Sequence, residues 1–236
     1  MISKGPMVDV AANHRRVMER ISQAAARTGR DASSVKLLAA AKSQDAELVR
    51  AAIVAGVSLI GENYVQEAQA KKARISEAAE WHMIGHLQRN KAKSAVALFD
   101  LIETLDSIAL ALELDKEGRK TKKRIRTFVE VNLAGEESKT GIAKDQVFTL
   151  LQEAAKLPNI IVEGLMTVPP FREDPEQTRP YFRELRELLG RMRELQLPNL
   201  ELKELSMGMS HDYPVAIEEG ATIVRIGTAL FGPRKA

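Results

Sequence analysis

Short apolar runs rich in β-branched residues alternate with longer helical patterns along this 236-residue sequence. Eight of the runs have the length and composition of buried strands. They are Val35–Ala41, Val57–Ile60, Trp81–Ile84, Leu98–Glu103, Ile125–Asn132, Ile160–Met166, Leu202–Ser206 and Ile223–Ile226. Strands that alternate with helices pair in parallel through right-handed crossovers, because each helix returns the chain to the start of the next strand. The pattern therefore predicts an α/β protein.

Helical periodicity is strong between these runs. A helix is predicted over Pro175–Leu195, where six apolar residues recur at three- and four-residue spacing and so share one face. They are Phe182, Leu185, Leu188, Leu189, Met192 and Leu195. A second helix is predicted over Ser107–Lys120, because the Ser107 hydroxyl can accept a hydrogen bond from a first-turn amide. A third, Val8–Arg27, precedes the first strand.

No linker rich in Pro, Gly or Ser divides the sequence, so we predict one domain over residues 1–236. Eight strands in a chain of this length indicate a single (β/α)8 TIM barrel, with a leading helix within residues 1–30 packed on it. An open doubly wound sheet is the alternative, but no glycine-rich dinucleotide fingerprint follows the first strand. In such barrels ligands bind at the carboxyl ends of the strands, and loops after strands seven and eight often hold phosphate.

The composition excludes several functional classes. The sequence has no cysteine, which excludes disulfides, thiolate nucleophiles and iron–sulfur clusters. Its 35 Lys and Arg against 32 Asp and Glu leave a net charge of +3, too small to indicate general nucleic-acid binding. No apolar run is long enough to span a membrane, and Met1–Met7 lacks the apolar core of a secretory signal. We therefore expect a cytoplasmic protein without membrane or nucleic-acid partners.

One segment, Lys116–Arg126, concentrates seven Lys or Arg residues. It lacks the interleaved aromatic residues that nucleic-acid-binding surfaces use, so we interpret it as a solvated helix end. No dominant apolar stripe is evident on the predicted surface either. We therefore expect a monomer.

Lys42 ends the apolar run of the first strand and is predicted to emerge at the barrel mouth. Partial desolvation there disfavours the ammonium form of a lysine and favours the free amine that forms a Schiff base. The alternative is a lysine whose stem covers apolar surface while its charge reaches water.

Two turns containing glycine and hydroxyl residues follow the last two predicted strands. Ser206–Ser210 (SMGMS) follows the seventh strand, and Arg225–Thr228 (RIGT) closes the eighth. Glycine lets backbone amides approach a ligand closely, and Ser and Thr add hydroxyl donors. Because both turns lie where barrels commonly bind phosphate, together they favour a phosphate site.

A lysine and a phosphate site in one barrel mouth fit two kinds of ligand. Pyridoxal 5′-phosphate (PLP) fits, with its aldehyde on Lys42 and its phosphate at the turns. A sugar phosphate held as a lysine imine, as in a class I aldolase, fits equally well. Arg225 bears on the choice, because an arginine beside the pyridine nitrogen opposes its protonation and weakens PLP as an electron sink. A phosphate contact or a strand-end ion pair is the alternative for Arg225.

Other polar residues at strand ends are less specific. Asn63 either contacts a ligand or caps the next helix. His82 and His86 are four residues apart but do not share a helix, and the Glu of the zinc-binding motif is absent, so we expect no metal. We predict instead that His86 contacts a ligand ring. Four further residues either line the mouth or close the top layer of the barrel: Glu130, Asn132, Met166 and Thr167.

The strand ends carry eight short motifs that occur in order over nearly the whole chain. They are Ala40–Lys42, Gly61–Glu67, Trp81–Lys91, Glu130–Asn132, Glu137–Gly141, Gly164–Thr167, Ser206–Asp212 and Val224–Thr228. Together they resemble the pyridoxal phosphate homeostasis protein family, whose fold is similar to the N-terminal barrel of alanine racemase.

This resemblance implies that Lys42 holds PLP as an internal aldimine, with Ser210, Gly227 and Thr228 at the phosphate. It also implies a non-catalytic PLP carrier or regulator in intracellular PLP homeostasis, with apo PLP-dependent enzymes as transient partners. Ser206 and Met207 are expected beside the cofactor, Asn63 near its ring, and Arg225 at the pyridine nitrogen or the phosphate. The full predicted cofactor-binding set is Lys42, Asn63, His86, Met166, Ser206, Met207, Ser210, Arg225, Gly227 and Thr228.

Racemisation needs two bases on opposite faces of a PLP adduct. Lys42 could serve one face, but in racemases of this shape a second domain supplies a tyrosine for the other. Here the barrel is expected to account for the entire chain. We therefore predict no catalytic residues and at most weak residual racemase-like activity. A PLP-dependent racemase-like enzyme or a Schiff-base aldolase is the alternative.

Overall fold

The computed structural model describes residues 8–136 and 139–233, and these residues form nine strands and nine α-helices. The strands are β1 (Lys36–Ala40), β2 (Leu59–Glu62), β3 (Glu80–Met83), β4 (Leu101–Leu105), β5 (Ile125–Asn132), β6 (Ile142–Ala143), β7 (Ile160–Met166), β8 (Leu200–Met209) and β9 (Ile223–Ile226). The helices are α1 (Val10–Arg27), α2 (Ala46–Val54), α3 (Val65–Lys72), α4 (Ala92–Leu98), α5 (Ile108–Thr121), α6 (Val147–Ala154), α7 (Arg179–Arg193), α8 (Tyr213–Glu218) and α9 (Thr228–Phe231). Short 3-10 helices lie at Ala32–Ser34, Arg89–Lys91, Lys144–Gln146 and Pro175–Thr178.

Three parts of the predicted domain lie outside the described residues. They are residues 1–7, residues 234–236, and Glu137 and Ser138 of the Glu137–Gly141 motif.

Eight of these strands close into a parallel barrel, in the order β4-β3-β2-β1-β9-β8-β7-β5, with β4 paired to β5. This confirms the predicted TIM barrel. The two-residue β6 was not predicted, and it lies outside the barrel, where it pairs with the end of β5. None of the helices in the described part of the chain is long and apolar enough to cross a membrane.

Apolar residues pack in two layers, because successive strand residues face opposite sides of the barrel wall. The inner layer fills the barrel with side chains from six strands. It contains Leu38, Leu59, Leu101, Phe128, Met166 and Ile223. The outer layer lies between the strands and the helices and also takes in α1, which buries its apolar face against α2, α8 and α9. The first turn of α1 is capped by Asp9, whose side chain accepts a hydrogen bond from the Ala12 amide at 2.8 Å.

The predicted strands are confirmed, but five have different limits, and the limits of the first and third differ by only one residue at each end. The second strand is shifted to Leu59–Glu62, because the charge of Glu62 is paired inside the protein. The fourth begins at Leu101 rather than Leu98, which ends α4. The seventh extends over Leu200–Met209, so Ser206–Met209 belongs to a strand and not to a turn.

The predicted helices differ from the observed ones mainly at their ends. Pro175–Leu195 is a 3-10 turn followed by α7, with Phe182, Leu185, Leu188 and Leu189 buried as expected. α5 begins one residue after Ser107, whose hydroxyl oxygen accepts the Leu110 amide hydrogen at 3.4 Å.

Candidate functional site

The carboxyl ends of β8, β9, β1 and β2 lie side by side in the barrel. Ala40 is paired with Gly61 of β2, and Ala39 with Ile226 of β9. The loops that follow these strands therefore meet at one end of the barrel, which we call the mouth. The predicted residues just beyond these strand ends are Lys42, Asn63, Ser210, Gly227 and Thr228, the last of which begins α9.

Lys42 lies in a turn two residues beyond β1 and is half-buried. Its Nζ is 5.4 Å from the centroid of the Tyr64 ring, where the ring quadrupole attracts a cation. The next residue, Ser43, has a φ of 62°, and its backbone amide donates to Glu67 Oε2 at 3.0 Å. This hydrogen bond attaches the turn to α3 on the C-terminal side of Lys42.

A buried ion pair supports the same turn on the N-terminal side of Lys42. Lys71 Nζ of α3 donates to Glu62 Oε1 at 2.6 Å and to the Ala41 carbonyl at 2.7 Å. Burial raises the pKa of Glu62, and the hydrogen bond and charge of Lys71 oppose that rise. Backbone groups on both sides of Lys42 are therefore held in place.

Two backbone amides converge on the hydroxyl oxygen of Ser210. The Gly227 amide donates to it at 3.1 Å and the Ala229 amide at 3.2 Å, while Thr228 between them is exposed. A Cβ added at Gly227 would come no closer than 3.7 Å, to the Ala40 carbonyl, so space is open beside the end of β1. Converging amides and hydroxyls are donors that recognise phosphate oxygens.

Arg225 is a buried cation at the base of the mouth, only 4% exposed. Its Nη1 donates to Ser206 Oγ at 2.7 Å, and its Nη2 donates to the Thr167 carbonyl at 2.8 Å. Burial lowers the pKa of Arg225 from its ordinary value, and nearby carboxylates oppose that effect. Arginine stays charged at neutral pH even when burial lowers its pKa. The site therefore contains a fixed positive charge.

Two further groups extend this polar chain into the barrel. Ser206 Oγ donates to Glu103 Oε2 at 2.5 Å, and His82 Nδ1 donates to Glu103 Oε1 at 2.7 Å. His82 Nε2 is 3.2 Å from Glu80 Oε1. Burial acts to lower the pKa of His82, but hydrogen bonds with both glutamates outweigh it and raise the pKa to about 9. The hydrogen bond with His82 holds the pKa of Glu80 down at about 2.

Other ionisable groups lie around the mouth. His86 is half exposed, and its Nδ1 is 3.1 Å from Asp106 Oδ2. Glu130 is buried; its Oε1 accepts the Thr140 hydroxyl at 2.6 Å, and its Oε2 has no hydrogen-bond partner within the described residues. Burial raises the pKa of Glu130, and the Thr140 hydrogen bond opposes the rise.

The predicted residues of β7 and β8 differ in their orientation. Met166 ends β7 and belongs to the inner layer, in register with Ser206. Ser206 also faces the barrel interior, where it contacts Arg225. Met207 instead packs its side chain in the outer layer, between strands and helices. Of the predicted residues on these two strands, Met207 is therefore the one whose side chain does not face the barrel interior.

Sequence reasoning missed the roles of Lys71 and Glu103. Both are charged residues within apolar patterns: Lys71 follows Val65 and Ala68 on the buried face of α3, and Glu103 lies in the middle of β4. A charge on a buried face needs a partner. That signal was available, although the sequence alone does not name the partner.

A separate cavity of about 270 Å³ lies at the opposite end of the barrel, where residues such as Lys36, Glu80 and Arg126 line the starts of the strands. It is distant from the turn that carries Lys42. Within residues 8–136 and 139–233, no cluster of three or more His, Asp or Glu side chains could hold a metal ion. His82 and His86 contact different partners.

Comparison with known proteins assigns the family. The family model described as "Alanine racemase, N-terminal domain" matches residues 10–235. A pyridoxal phosphate homeostasis protein of Aquifex aeolicus is 48% identical over 222 residues, which cover 93% of this chain and 96% of that protein. The chain belongs to the pyridoxal phosphate homeostasis protein family.

Solved structures extend this result to the fold. PipY of Synechococcus elongatus, in a structure described as having PLP bound, is 36% identical with a TM-score of 0.81 and covers 92% of this chain and 100% of that chain. An alanine racemase of Clostridium difficile has a TM-score of 0.72 at 14% identity, over 95% of this chain and 58% of that chain. This member of the homeostasis family therefore has the alanine racemase barrel.

Proposed function

We propose that this protein binds PLP as a Schiff base (an aldimine) on Lys42 and acts as an intracellular PLP carrier and regulator. One observation carries the proposal: the amides of Gly227 and Ala229 converge beside the end of β1, two residues before Lys42. A ligand with a phosphate at one end and an aldehyde at the other suits this arrangement. The homeostasis name of the Aquifex relative and the PLP described in the PipY structure support it.

The phosphate would take the place that the Ser210 oxygen now fills as acceptor. A phosphate oxygen is a stronger acceptor than a hydroxyl because it is charged. The amides of Gly227 and Ala229 would then donate to the phosphate, and the hydroxyls of Ser210 and Thr228 would add two donors. The open space beside Gly227 leaves room for this exchange.

Arg225 favours retention of the cofactor over reaction. We propose that its guanidinium faces the pyridine nitrogen of PLP, with Asn63, His86 and Met166 around the ring. PLP supplies an electron sink that is strong when this nitrogen is protonated, and a fixed cation beside the nitrogen opposes protonation. Arg225 is held by Ser206 and the Thr167 carbonyl and stays charged.

The positions of the tyrosines also disfavour racemisation. Proton exchange between opposite faces of an adduct needs a second base across from Lys42. Tyr64 lies on the same side as Lys42, next to its amine. Tyr213 is fully buried in α8, with Arg20 of α1 over its ring. We therefore assign no catalytic residue, and a racemase-like enzyme or a Schiff-base aldolase remains the competing function.

We further propose that the protein is a cytoplasmic monomer that meets apo PLP-dependent enzymes transiently. Half-buried Lys42 and exposed Thr228 support a cofactor site at the surface end of the barrel. A site of this kind allows PLP to leave without unfolding of the protein. Nucleic acids and membranes have no part in the proposal.

The test is spectroscopic. The protein incubated with PLP and desalted is expected to be yellow, with a visible aldimine band that Lys42→Ala abolishes and that Lys93→Ala, at an exposed lysine of α4, retains. The measurement is the near-ultraviolet and visible absorbance spectrum, in which a PLP Schiff base gives the yellow colour.

Two outcomes would overturn parts of the proposal. A colourless protein after incubation with PLP would exclude the Schiff base and leave the aldolase function. A yellow protein that interconverts L- and D-alanine at about 1 s⁻¹ or faster, the lower end of ordinary enzyme rates, would exclude the non-catalytic role.

A further inference from the structure

A continuous line of polar side chains crosses the inside of the barrel, from the cavity at the strand starts to the mouth. We call it the axial network. Its members are Arg126, Glu80, His82, Glu103, Ser206 and Arg225. Four of them are buried, namely His82, Glu103, Ser206 and Arg225, beside the apolar side chains of the inner layer.

The donors in the axial network point in fixed directions. Arg225 has no acceptor, so it must donate to Ser206 Oγ, and the Ser206 hydrogen must then go to Glu103. On its other side Glu103 accepts from His82 Nδ1. The imidazolium of His82 has a second donor, which it gives to Glu80. Each group therefore fixes the orientation of the next one.

Glu103 is the centre of this arrangement because it accepts from both sides. Its Oε2 is also 4.0 Å from Arg225 Nη1, which makes it the nearest buried counter-charge to that guanidinium. The Glu103 carboxylate offers a separate acceptor oxygen to Ser206 and to protonated His82. A glutamine in the same orientation would turn its NH2 group toward one of these donors.

We propose that Glu103 and His82 are positioning residues, which act through Ser206 to fix the guanidinium of Arg225 where the cofactor ring binds. This inference rests on the proposed function for the identity of the ring. Neither residue lies at the mouth, and neither touches the ligand in this account. They set the orientation of Arg225, and through it the protonation of the pyridine nitrogen.

A purely structural role for the axial network predicts different behaviour. A buried ion cluster that only stabilises the barrel would change the unfolding free energy when it is altered, but not the properties of a ligand bound at the mouth. The two roles are therefore separated by measurements on folded protein that report on Arg225 itself and on the pyridine nitrogen.

The test compares Glu103→Gln with Lys36→Gln. Lys36 lines the same lower cavity and pairs with Glu204 at 2.6 Å, but it takes no part in the axial network. In the PLP-free protein, ¹⁵N NMR of the arginine side chains is expected to show faster guanidinium rotation of Arg225 in Glu103→Gln and not in Lys36→Gln. This readout needs no cofactor.

With ¹⁵N-labelled PLP bound, the pyridine nitrogen is expected to shift toward its protonated resonance in Glu103→Gln and to stay unchanged in Lys36→Gln. The Kd for PLP is expected to rise about tenfold in Glu103→Gln, the effect of losing one charge-assisted hydrogen bond. Glu80→Gln, at a side chain one-third exposed, is a milder second variant that should change the Arg225 rotation and the pyridine resonance less and in the same direction.

Unchanged Arg225 rotation and an unchanged pyridine resonance in folded Glu103→Gln would overturn the inference. His82→Asn keeps a donor toward Glu103, and His82→Leu does not. Slow Arg225 rotation in His82→Asn together with fast rotation in His82→Leu would support the inference further. If the proposed function is wrong instead, the unmodified protein will show no aldimine band with PLP. The Arg225 measurement is made on PLP-free protein, so its result will still be valid.

Discussion

Two lysines lie next to the proposed aldehyde position, and their surroundings give them different tasks. Lys71 is buried, and its N–H groups hold the Glu62 carboxylate and the Ala41 carbonyl. Lys42 is half-buried at the mouth, with its amine near the face of Tyr64. The first lysine is part of the scaffold, and the second is placed where a ligand can reach it.

Lys71→Met is expected to destabilise the protein by about 3 kcal/mol, because it leaves the buried Glu62 carboxyl without its partner. It should also slow the reaction of Lys42 with PLP, since the Ala41 carbonyl is released. Urea unfolding and stopped-flow absorbance measure the two effects. Glu62→Leu combined with Lys71→Met should recover most of the stability; an equally unstable double variant would contradict the ion-pair explanation.

Thr228→Val is expected to weaken PLP binding with little effect on folding. Because Thr228 is exposed, the substitution should change the unfolding free energy of the protein by no more than about 0.5 kcal/mol. Loss of one hydroxyl–phosphate hydrogen bond should raise the Kd for PLP about tenfold. Thr149→Val, at an exposed threonine of α6, is the matched control. Equal affinities in both variants would remove Thr228 from the phosphate site.

At the scale of elements, β8 and the loop after β3 show how the barrel shapes its mouth. β8 continues to Met209 with a change of register against β9 between Ser206 and Met209. Gly208 in this stretch has a φ of 90°, and a Cβ there would come within 2.5 Å of Ala216 Cβ. Ordinary alternation directs Ser206 inward and Met207 outward, and the extra residue follows before Met209. Strand periodicity in the sequence could not show the extra residue, because a bulge breaks the two-residue alternation.

Gly85 tests how closely two mouth loops must approach. A Cβ at Gly85 would lie 2.4 Å from the Asn63 carbonyl oxygen, so Gly85→Ala must displace the Asn63 loop. We expect a loss of about 1–3 kcal/mol in unfolding free energy and weaker PLP binding.

The control for Gly85 is another glycine. Gly190 lies in α7 with nothing within 4 Å of an added Cβ, so Gly190→Ala should stabilise the protein by about 0.5–1 kcal/mol. Thermal unfolding compares the two variants. A Gly85→Ala protein as stable as Gly190→Ala would show that the loops of Gly85 and Asn63 can move apart without loss of stability.

For the whole molecule, the alternation of strands and helices was enough to predict the barrel, and it indicated the end at which the candidate site is proposed. Lys42, Ser210 and Gly227 were predictable because they follow strands directly, and strand ends meet in a closed barrel. The supports from Lys71 and Glu103 were not, because they depend on partners that are distant in sequence. Ser206 and Glu103, for example, are 103 residues apart.

The axial network also makes the stability of the whole molecule depend on pH. The pKa of His82 is raised from 6.5 to about 9, so its contribution is complete below pH 6.5 and is lost as the pH rises through 9. The pKa of Glu80 is lowered from 4.5 to about 2, so its contribution is present above pH 4.5 and is lost as the pH falls toward 2.

PLP-free protein should therefore be most stable between these limits. We expect the unfolding free energy to fall by about 2 kcal/mol from pH 6 to pH 9, measured by urea unfolding, and His82→Asn to remove most of this change. The same fall in His82→Asn would assign the pH dependence to other groups.

The most direct test of the central claim is to trap the Schiff base and locate it. Reduction of the PLP-loaded protein with borohydride converts a lysine imine into a stable secondary amine, and mass spectrometry of its peptides identifies the lysine. We predict that the pyridoxyl group is found on Lys42, with Lys71 unlabelled. A label on Lys71 or another lysine in place of Lys42, or no label in a protein that still binds PLP, would contradict the account.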